Sequence, residues 1–328
     1  MTMDAIDPGE VRFFSGSSHP QLAADIAGYL GVPLDRTEIT RFSNDNLYIQ
    51  LGASVRSRNV FIVQSLSPPV NDHLVELLMM LDIARAASAN EIHAIIPYFS
   101  FARSDKKDAP RISITARLVA DLLQTAGATQ VMTMMLHSPQ VHGFFGVPTD
   151  PLSSRPVFTR YFQQRDLSST IVVATDMGHA KSAARFAKSL GLPVAAGDKE
   201  RISDTKVRVS GIVGQQVRGC ERALIYDDEV ATGNSILEIS KLLIEDGIRE
   251  IWVVCTHGVF VKGGLDRLAD IPQITEIVTT DTVSVPLEKR HPKLRVLSVD
   301  FIFGEAIRRN HLRRSIGDLF VFGDGSPR

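Results

Sequence analysis

The chain has 328 residues, of which 44% are hydrophobic and 22% charged, an ordinary globular composition. Lys and Arg number 36 and Asp and Glu 37, for a net charge of −1, which argues against a strongly basic nucleic-acid-binding surface. No apolar run is long enough to cross a membrane, the first residues lack the apolar core of a signal peptide, and the two cysteines show neither disulfide-framework nor metal spacing. We therefore expect a soluble, cytoplasmic protein that binds neither nucleic acid nor membrane.

Apolar strands and amphipathic helices alternate in the first half of the chain. The predicted strands are 11–15, 34–39, 47–51, 59–64, 91–97 and 129–136, and the predicted helices are 20–30, 71–84 and 112–126. Pro20 suits a first helical position, Asn71 suits a cap, and Gly31 and Gly127 are expected to end helices. Two polar loops, 41–46 and 98–108, interrupt this alternation.

The second half of the chain shows the same alternation of predicted strands and helices. Proline-rich residues 148–156 predict a boundary between domains 1–150 and 151–300, with helix 301–320 completing the first domain. The predicted strands are 170–174, 222–226, 251–255, 276–279 and 295–299, and helices are expected through 183–190, from about 236, and over 301–309. Residues 197–206 form a charged segment without strong periodicity. The alternation predicts an α/β fold with parallel sheets.

A central stretch joins two carboxylates to a turn of small residues. Asp227 and Asp228 follow the apolar strand, residues 231–235 form the turn, and a helix follows. Carboxylates accept hydrogen bonds from vicinal hydroxyls or hold a cation, and a helix start cradles phosphate. The alternative is an ordinary connection capped by Ser235. Because neighbouring carboxylates repel unless something bridges them, the pair favours a sugar-phosphate site.

Polar groups follow several predicted strands, and ligands of open α/β sheets bind at the carboxyl ends of strands. These groups are Arg103, Asp105, His137, Asp176, Lys199, Arg201, Asp227 and Asp228. Each alone fits a solvated loop, a half-buried histidine or a helix cap. Together they indicate a site for a magnesium-bound polyphosphate and a hydroxylated acceptor.

The chain resembles the ribose-phosphate pyrophosphokinase (phosphoribosyl pyrophosphate synthetase) family over about residues 13–320. The matching motifs include Arg-Phe-Ser-Asn at 41–44, Phe-Ala-Arg-Ser-Asp-Lys-Lys at 101–107, Leu-His at 136–137, Asp-Lys-Glu-Arg at 198–201, the acid pair with its turn at 227–235, and Thr-His-Gly at 256–258. The resemblance implies two phosphoribosyltransferase-like domains, each with a central, mostly parallel sheet flanked by helices. It also implies Mg²⁺-dependent transfer of the β,γ-pyrophosphoryl group of ATP to the C1 hydroxyl of ribose 5-phosphate, giving phosphoribosyl pyrophosphate and AMP.

The resemblance also assigns roles to individual residues. Lys199 and Arg201 would be catalytic, on a mobile arm over the transferring phosphates. The ATP-binding residues would be Phe42, Asn44, Asn46, Arg103, Ser104, Asp105 and His137. The ribose 5-phosphate-binding residues would be Asp227, Asp228, Ala231, Thr232, Gly233, Asn234 and Ser235. The pyrophosphate loop would be Asp176, Met177, Gly178 and His179, with His137 and Asp176 near the metal. A homodimer assembled into a homohexamer is implied, in which Phe42 and Asn44 contact adenine from a neighbouring subunit.

The chain departs from the family pattern at several of these positions. Ala231 replaces an acid, Asn234 a glycine, Asn46 a glutamate, Ser104 a glutamine, and His179 the second glycine of Asp-x-Gly-Gly. A shorter loop after Lys107, together with His142 and Gly317, predicts altered allosteric control by phosphate and ADP.

Two other functions are compatible with parts of the chain. Ala231 supports a phosphoribosyltransferase, although such an enzyme needs only one of the two domains. A non-catalytic regulatory subunit of a synthetase is the second alternative, and the retained Lys199 and Arg201 argue against it.

Overall fold

The computed structural model of the chain describes residues 6–201, 207–214, 217 and 219–320. These residues divide into two compact units. Residues 6–153, 282–284 and 298–320 belong to unit 1, and the described residues of 154–281 and 285–297 belong to unit 2. Within the described ranges, no helix has both the length and the apolar character that a membrane span requires.

Unit 1 is built on a five-stranded parallel sheet. The strands of the whole unit are β1 (Val11–Ser15), β2 (Thr37–Arg41), β3 (Leu47–Leu51), β4 (Asn59–Val63), β5 (Glu91–Ile96), β6 (Gln130–Met134) and β7 (Thr149–Leu152). The sheet has the order β1-β4-β5-β6-β7, and β2 and β3 form a separate antiparallel hairpin. Helices α1 (Pro20–Leu30), α2 (Val70–Ala86) and α3 (Thr115–Ala126) connect the strands.

Helix α1 shows how local sequence determines an element of this unit. Pro20 is its first residue, and the Nδ1 atom of His19 accepts a hydrogen bond from the backbone N–H of Leu22 at 3.1 Å. Gly31 ends the helix with a φ of 70°, a left-handed conformation that favours glycine. The prediction for this helix is confirmed at both ends.

The core of unit 1 lies between the sheet and its helices. Val60 and Ile62 of β4 are buried together with Leu77 and Leu81 of α2 and with Leu123 of α3. Fully burying such a side chain contributes about 1.5–3 kcal/mol relative to leaving it in water. This packed core supports the loops that follow the strands.

Unit 2 is built on a seven-stranded sheet. Its strands are β8 (Thr170–Ala174), β9 (Val194–Arg201), β10 (Val207–Gly214), β11 (Arg222–Val230), β12 (Glu250–Gly258), β13 (Ile274–Thr280) and β14 (Leu294–Leu297). Its helices are α4 (Arg155–Phe162), α5 (Ala180–Leu190), α6 (Asn234–Glu245) and α7 (Gly264–Ala269). The order is β10-β9-β8-β11-β12-β13-β14, and only the β9–β10 pair of this sheet is antiparallel within the described residues.

The last helix, α8 (Asp300–His311), belongs to unit 1 and packs on α1. The hydroxyl of Tyr29 donates a hydrogen bond to Glu305 at 3.1 Å, and a β-carbon at position 304 would overlap the Tyr29 ring. Gly304 therefore allows the two helices to approach closely.

The predicted α/β class with mostly parallel sheets flanked by helices is confirmed, but several element boundaries were wrong. Strand β2 begins at Thr37 rather than at 34. Helix α2 begins at Val70 after Pro69, so Asn71 lies inside the helix and is not its cap. Helix α3 begins at Thr115, three residues later than predicted, and α4 and α7 were not predicted.

Two segments predicted to be irregular form strands. Residues 149–152, within the proline-rich stretch, form β7 at the sheet edge, where the missing N–H of Pro151 is tolerated. The charged segment from 197 continues β9 as far as Arg201 and pairs with β10. Within the described residues, β10 is the edge strand of the sheet of unit 2, and β9 lies between β10 and β8.

Candidate active site

Three acids lie together where β8 and β11 approach their carboxyl ends in unit 2. Asp176 follows β8 by two residues, and Asp227 and Asp228 lie within β11. Strand β11 was expected to end at Tyr226 but continues to Val230, so the acid pair is part of the strand and not of the turn after it. Asp228 is only 4% exposed, and Asp227 is also buried. Buried carboxylates of this kind need partners.

The imidazole of His179 lies between these acids and contacts all three. Its Nδ1 atom lies 3.0 Å from Oδ1 of Asp176, and its Nε2 atom lies 2.9 Å from Oδ1 of Asp228 and 3.8 Å from Oδ1 of Asp227. Both ring nitrogens therefore face carboxylate oxygens, with a hydrogen bond at Nδ1 and an ion-pair contact at Nε2. The repulsion expected between the neighbouring acids is therefore relieved by a side chain of the same unit.

The protonation states follow from these contacts. Burial lowers the pKa of His179, but the hydrogen bonds to Asp176 and Asp228 and the charges of Asp227 and Asp228 outweigh it and raise the pKa to about 11. Burial and the Asp228 charge raise the pKa of Asp227 to about 7, although the His179 cation acts in the opposite direction. The ring is thus charged at neutral pH.

Asp227 is held in place by two further donors. The hydroxyl of Thr175 donates to its Oδ2 atom at 2.8 Å, and the backbone N–H of Asp228 donates to its Oδ1 atom at 2.8 Å. Thr175 was not among the predicted site residues. Its position between β8 and Asp176 was the available signal, because that position lies at a strand end.

The turn beyond β11 leads directly into helix α6. Gly233 precedes the helix with a φ of 78°, and Asn234 is its first residue, two residues earlier than predicted. Ser235 is therefore the second helical residue and not the cap, and within the described ranges no side chain caps this helix start. The first N–H groups of such a helix can donate to a phosphate.

The turn is supported by helix α7. Arg267 donates to the side-chain oxygen of Asn234 at 3.0 Å and to the backbone oxygen of Thr232. A β-carbon at Gly264 would lie 2.7 Å from the backbone oxygen of Ala231, so only glycine fits there. These contacts fix the turn relative to the acid pair.

The remaining predicted residues of unit 2 lie on two segments. Met177 is exposed and Gly178 follows it, in the turn between Asp176 and His179 that enters α5. The backbone of Lys199 pairs with that of Val209 and the backbone of Arg201 with that of Val207, so both residues lie on β9.

In unit 1, the tip of the β2–β3 hairpin presents an exposed aromatic ring. The N–H of Phe42 donates to the backbone oxygen of Asn46 at 2.8 Å, and the N–H of Asn46 donates to the side-chain oxygen of Asn44 at 3.3 Å. The ring of Phe42 is 56% exposed and lies 5.8 Å from that of Tyr48. The tip is thus a rigid turn with an aromatic surface open to solvent.

The other predicted unit 1 residues follow β5 and β6. Arg103 ends a short 3-10 turn, and Ser104 and Asp105 come next. The hydroxyl of Ser138, the residue after His137, donates to Asp105 at 2.6 Å. This hydrogen bond brings the loops after two neighbouring strands together.

The donor set of unit 2 fits Mg²⁺. Asp176, Asp227 and Asp228 supply carboxylate oxygens around the His179 ring, and oxygen ligands are those that Mg²⁺ prefers. His137 lies in unit 1, and imidazole is a poorer ligand for this ion.

The chain matches known proteins over nearly its whole length. Residues 11–127 match a family model described as the N-terminal domain of ribose phosphate pyrophosphokinase, and residues 203–321 match a phosphoribosyl synthetase-associated domain. A ribose-phosphate pyrophosphokinase of Deinococcus radiodurans is 45% identical over 94% of this chain and 97% of its own, and one of Caldanaerobacter subterraneus subsp. tengcongensis is 41% identical over 95% and 98%. The crystal structure of phosphoribosylpyrophosphate synthetase from Mycobacterium smegmatis is similar with a TM-score of 0.86 at 35% identity, covering 93% of this chain and 99% of that one. The chain therefore belongs to the ribose-phosphate pyrophosphokinase family of enzymes.

Proposed function

We propose that the carboxyl edge of the sheet in unit 2 binds ribose 5-phosphate in the reaction of this family. In that reaction the C1 hydroxyl of ribose 5-phosphate attacks the β-phosphorus of ATP, and phosphoribosyl pyrophosphate and AMP are formed. The observation that supports this assignment is the buried acid pair Asp227–Asp228, which two residues separate from the turn 231–235 and from a helix start that no described side chain caps.

Each part of this edge suits one part of the sugar phosphate. Asp227 and Asp228 would accept hydrogen bonds from the ribose hydroxyls through their carboxyl oxygens. Residues 231–235, at the start of α6, would hold the 5-phosphate with backbone N–H groups, small hydroxyls and the helix dipole. Residues 176–179 would face the pyrophosphate.

Unit 1 would supply the nucleotide site. We assign ATP binding to Phe42, Asn44, Asn46, Arg103, Ser104, Asp105 and His137. The exposed ring of Phe42 suits stacking on adenine bound to a neighbouring subunit, and a homodimer assembled into a homohexamer would provide that neighbour. Domains 1–150 and 151–300, with helix 301–320 completing the first, remain our proposed division.

Lys199 and Arg201 would neutralise the charge that develops on the transferring phosphates. Phosphoryl transfer needs mainly positioning and electrostatic stabilisation, and two cations two residues apart in β9 can supply both. Closure of this segment would exclude water that could hydrolyse ATP.

Mg²⁺ is the metal we propose, held by Asp176 and near His137. When bound, it would offset the negative charge of the polyphosphate and align its oxygens. The oxygen donors of unit 2 support this choice of ion. We place the reaction in the cytoplasm.

The direct test is to incubate the purified chain with Mg²⁺, ATP and ribose 5-phosphate and to measure AMP and phosphoribosyl pyrophosphate by chromatography. Equal amounts of both products are expected, and omission of ribose 5-phosphate is the control. Nucleobase exchange without AMP would indicate a phosphoribosyltransferase. The absence of both activities would indicate a regulatory subunit instead.

A further inference from the structure

We propose that Arg267 is a positioning residue of the ribose 5-phosphate site, which holds the Thr232–Gly233 peptide so that the backbone N–H of Gly233 faces the 5-phosphate. This inference rests on the proposed function, because it takes the turn 231–235 to be the phosphate-binding segment. Arg267 lies on α7, a helix that carries none of the predicted site residues.

The guanidinium of Arg267 makes two hydrogen bonds to the turn. Its Nη1 atom donates to the side-chain oxygen of Asn234 at 3.0 Å, and its Nη2 atom donates to the backbone oxygen of Thr232. Two donors on one planar group fix their acceptors relative to each other, which a single ammonium group does less well. Arg267 therefore ties the residue before Gly233 to the first residue of α6.

The bond to Thr232 determines which way the next N–H group points. The Thr232–Gly233 peptide is trans, so its C=O and N–H bonds point in opposite directions. Because the C=O faces Arg267, the N–H of Gly233 points away from that side chain. Gly233 is buried, yet within the described part of the chain its N–H donates to no protein acceptor. A buried donor of this kind is available to an oxygen of a ligand.

The turn needs this support because glycine restricts the backbone little. Gly233 has a φ of 78°, and a glycine can change between positive and negative φ at small cost. If the Thr232–Gly233 peptide rotated by half a turn, its N–H would point at the guanidinium of Arg267, and two donors would face each other. The hydrogen bond from Arg267 therefore stabilises the orientation that suits a phosphate.

Asn234 gives Arg267 a second acceptor. The family pattern has glycine at this position, and glycine offers no side-chain oxygen. Arg267 and Asn234 are both exposed, so their hydrogen bond competes with water and contributes less than one in the interior. We therefore expect the bond to Thr232 to provide most of the effect.

Calorimetric titration of the full chain with ribose 5-phosphate tests the role of Arg267. The titration contains Mg²⁺ and α,β-methylene ATP, in which the bond that the reaction breaks is blocked. Arg267→Gln should weaken ribose 5-phosphate binding about fivefold to tenfold. Arg267→Lys should remain at least about threefold weaker than the parent, because one ammonium group does not replace the two donors.

Lys241→Gln is the matched control for charge. Lys241 is an exposed cation of α6, seven residues beyond Asn234, and its removal should change the affinity less than about twofold. Full recovery of affinity in Arg267→Lys would show that charge alone acts and would overturn the positioning role. An equal loss in Arg267→Gln and Lys241→Gln would overturn it as well.

D-ribose, which lacks the phosphate, separates positioning from general damage to the site. As a competitor of ribose 5-phosphate it should bind the parent and Arg267→Gln equally well, because the acid pair rather than the turn would bind its hydroxyls. An equal loss of affinity for both sugars would overturn the proposal, since the substitution would then disturb the whole site.

A milder variant and the kinetics complete the test. Asn234→Gly keeps the bond from Arg267 to Thr232 and should weaken ribose 5-phosphate binding only about twofold to threefold, whereas a loss as large as that of Arg267→Gln would contradict the dominant role of Thr232. In steady-state AMP formation, Arg267→Gln should raise the KM for ribose 5-phosphate and leave kcat and the KM for ATP unchanged. A parent that binds no ribose 5-phosphate would overturn the proposed function together with this inference. Binding by the parent with unchanged affinity in Arg267→Gln would overturn this inference alone.

Discussion

Each unit buries carboxylates beside the loop that follows its first strand, but different groups contact these carboxylates in the two units. In unit 1, Glu76 on α2 is 3% exposed and accepts hydrogen bonds from the N–H of Ser17 at 2.5 Å, from its hydroxyl at 2.7 Å, and from the Gln64 amide at 2.7 Å. A β-carbon at Gly16 would overlap the Gln64 side chain. This carboxylate is enclosed by neutral donors.

In unit 2, the corresponding edge holds a pair of acids whose charges are offset by a cation. Asp228 meets the imidazolium of His179, and Asp227 meets the hydroxyl of Thr175. Glu76 has a structural role, because its carboxylate already accepts hydrogen bonds from neutral donors of its own unit. For the acid pair we propose a binding role, because a metal ion or a hydroxylated ligand can use the same carboxylate oxygens.

The largest expected effect comes from removing a cation of β9 in unit 2. Lys199→Ala should lower kcat by about 10²–10³, because it removes a contact made mainly in the transition state, and should change the KM for ribose 5-phosphate little. Steady-state AMP formation measures both constants. Lys188→Ala, which removes an exposed charge of α5, should retain full activity, and an equal loss in both variants would contradict the role of β9.

The second prediction compares the two buried acids directly. Asp228→Asn should weaken ribose 5-phosphate binding about 10–100-fold, because a charged acceptor is lost. Glu76→Gln should leave that affinity unchanged but destabilise unit 1 by about 1–3 kcal/mol, since the new amide donor faces other donors. Calorimetric titration gives the affinities, and urea unfolding gives the stabilities.

An equal loss of ribose 5-phosphate affinity in both variants would contradict the different roles given to Asp228 and Glu76. It would also fail if Asp228→Asn changed only the unfolding midpoint, since Asp228 would then be as structural as Glu76.

A third substitution tests how Asp227 is oriented. Thr175→Val keeps the shape of a buried side chain but removes the donor to Asp227, and should lower the free energy of unfolding by about 1–3 kcal/mol. Thr275→Val removes an exposed hydroxyl that donates to Glu250 and should cost less than about 0.5 kcal/mol. Urea unfolding of both proteins measures the difference, and equal costs would show that Asp227 does not depend on Thr175.

The smallest effect concerns the ion pairs of α8 in unit 1. Burial would raise the pKa of Glu305, but Arg309, Arg308 and Tyr29 outweigh it and hold the pKa below the ordinary value of 4.5. A carboxyl group with a lowered pKa stabilises the fold above that ordinary value and loses the contribution as pH falls through the folded-state pKa. Glu305→Gln should therefore lower Tm by about 1–4 °C at pH 7.

The difference in Tm should narrow as pH falls below 4.5 toward the folded-state pKa of Glu305, because in that range the unfolded parent binds a proton that the folded parent does not. Scanning calorimetry at pH 7 and pH 4 measures it. Glu238→Gln, which breaks only an exposed pair with Lys241, should show almost no difference at either pH. A Tm difference that does not change with pH would show that Glu305 stabilises the protein through packing rather than through its charge.

Local sequence patterns were enough to predict much of the fold and part of the candidate site. The ends of α1, the continuous apolar run of β4 and the acid pair before the turn were all recognisable, because each depends on neighbours in sequence. Strands β7 and β9 were missed because edge position and backbone pairing, rather than alternation, stabilise them. The roles of Lys199 and Arg201 stay predictions.

The sequence by itself determined that an acid pair precedes a phosphate-sized turn, and that this chain carries histidine at position 179. Only the tertiary structure decided that these features meet. The parallel register of Tyr226 with Ala174 brings Asp227 and Asp228 beside Thr175 and Asp176, and the turn to α5 returns His179 to the acids. That contact joins residues far apart in the chain, so no local pattern specifies it, and it exists only once β8 and β11 have paired.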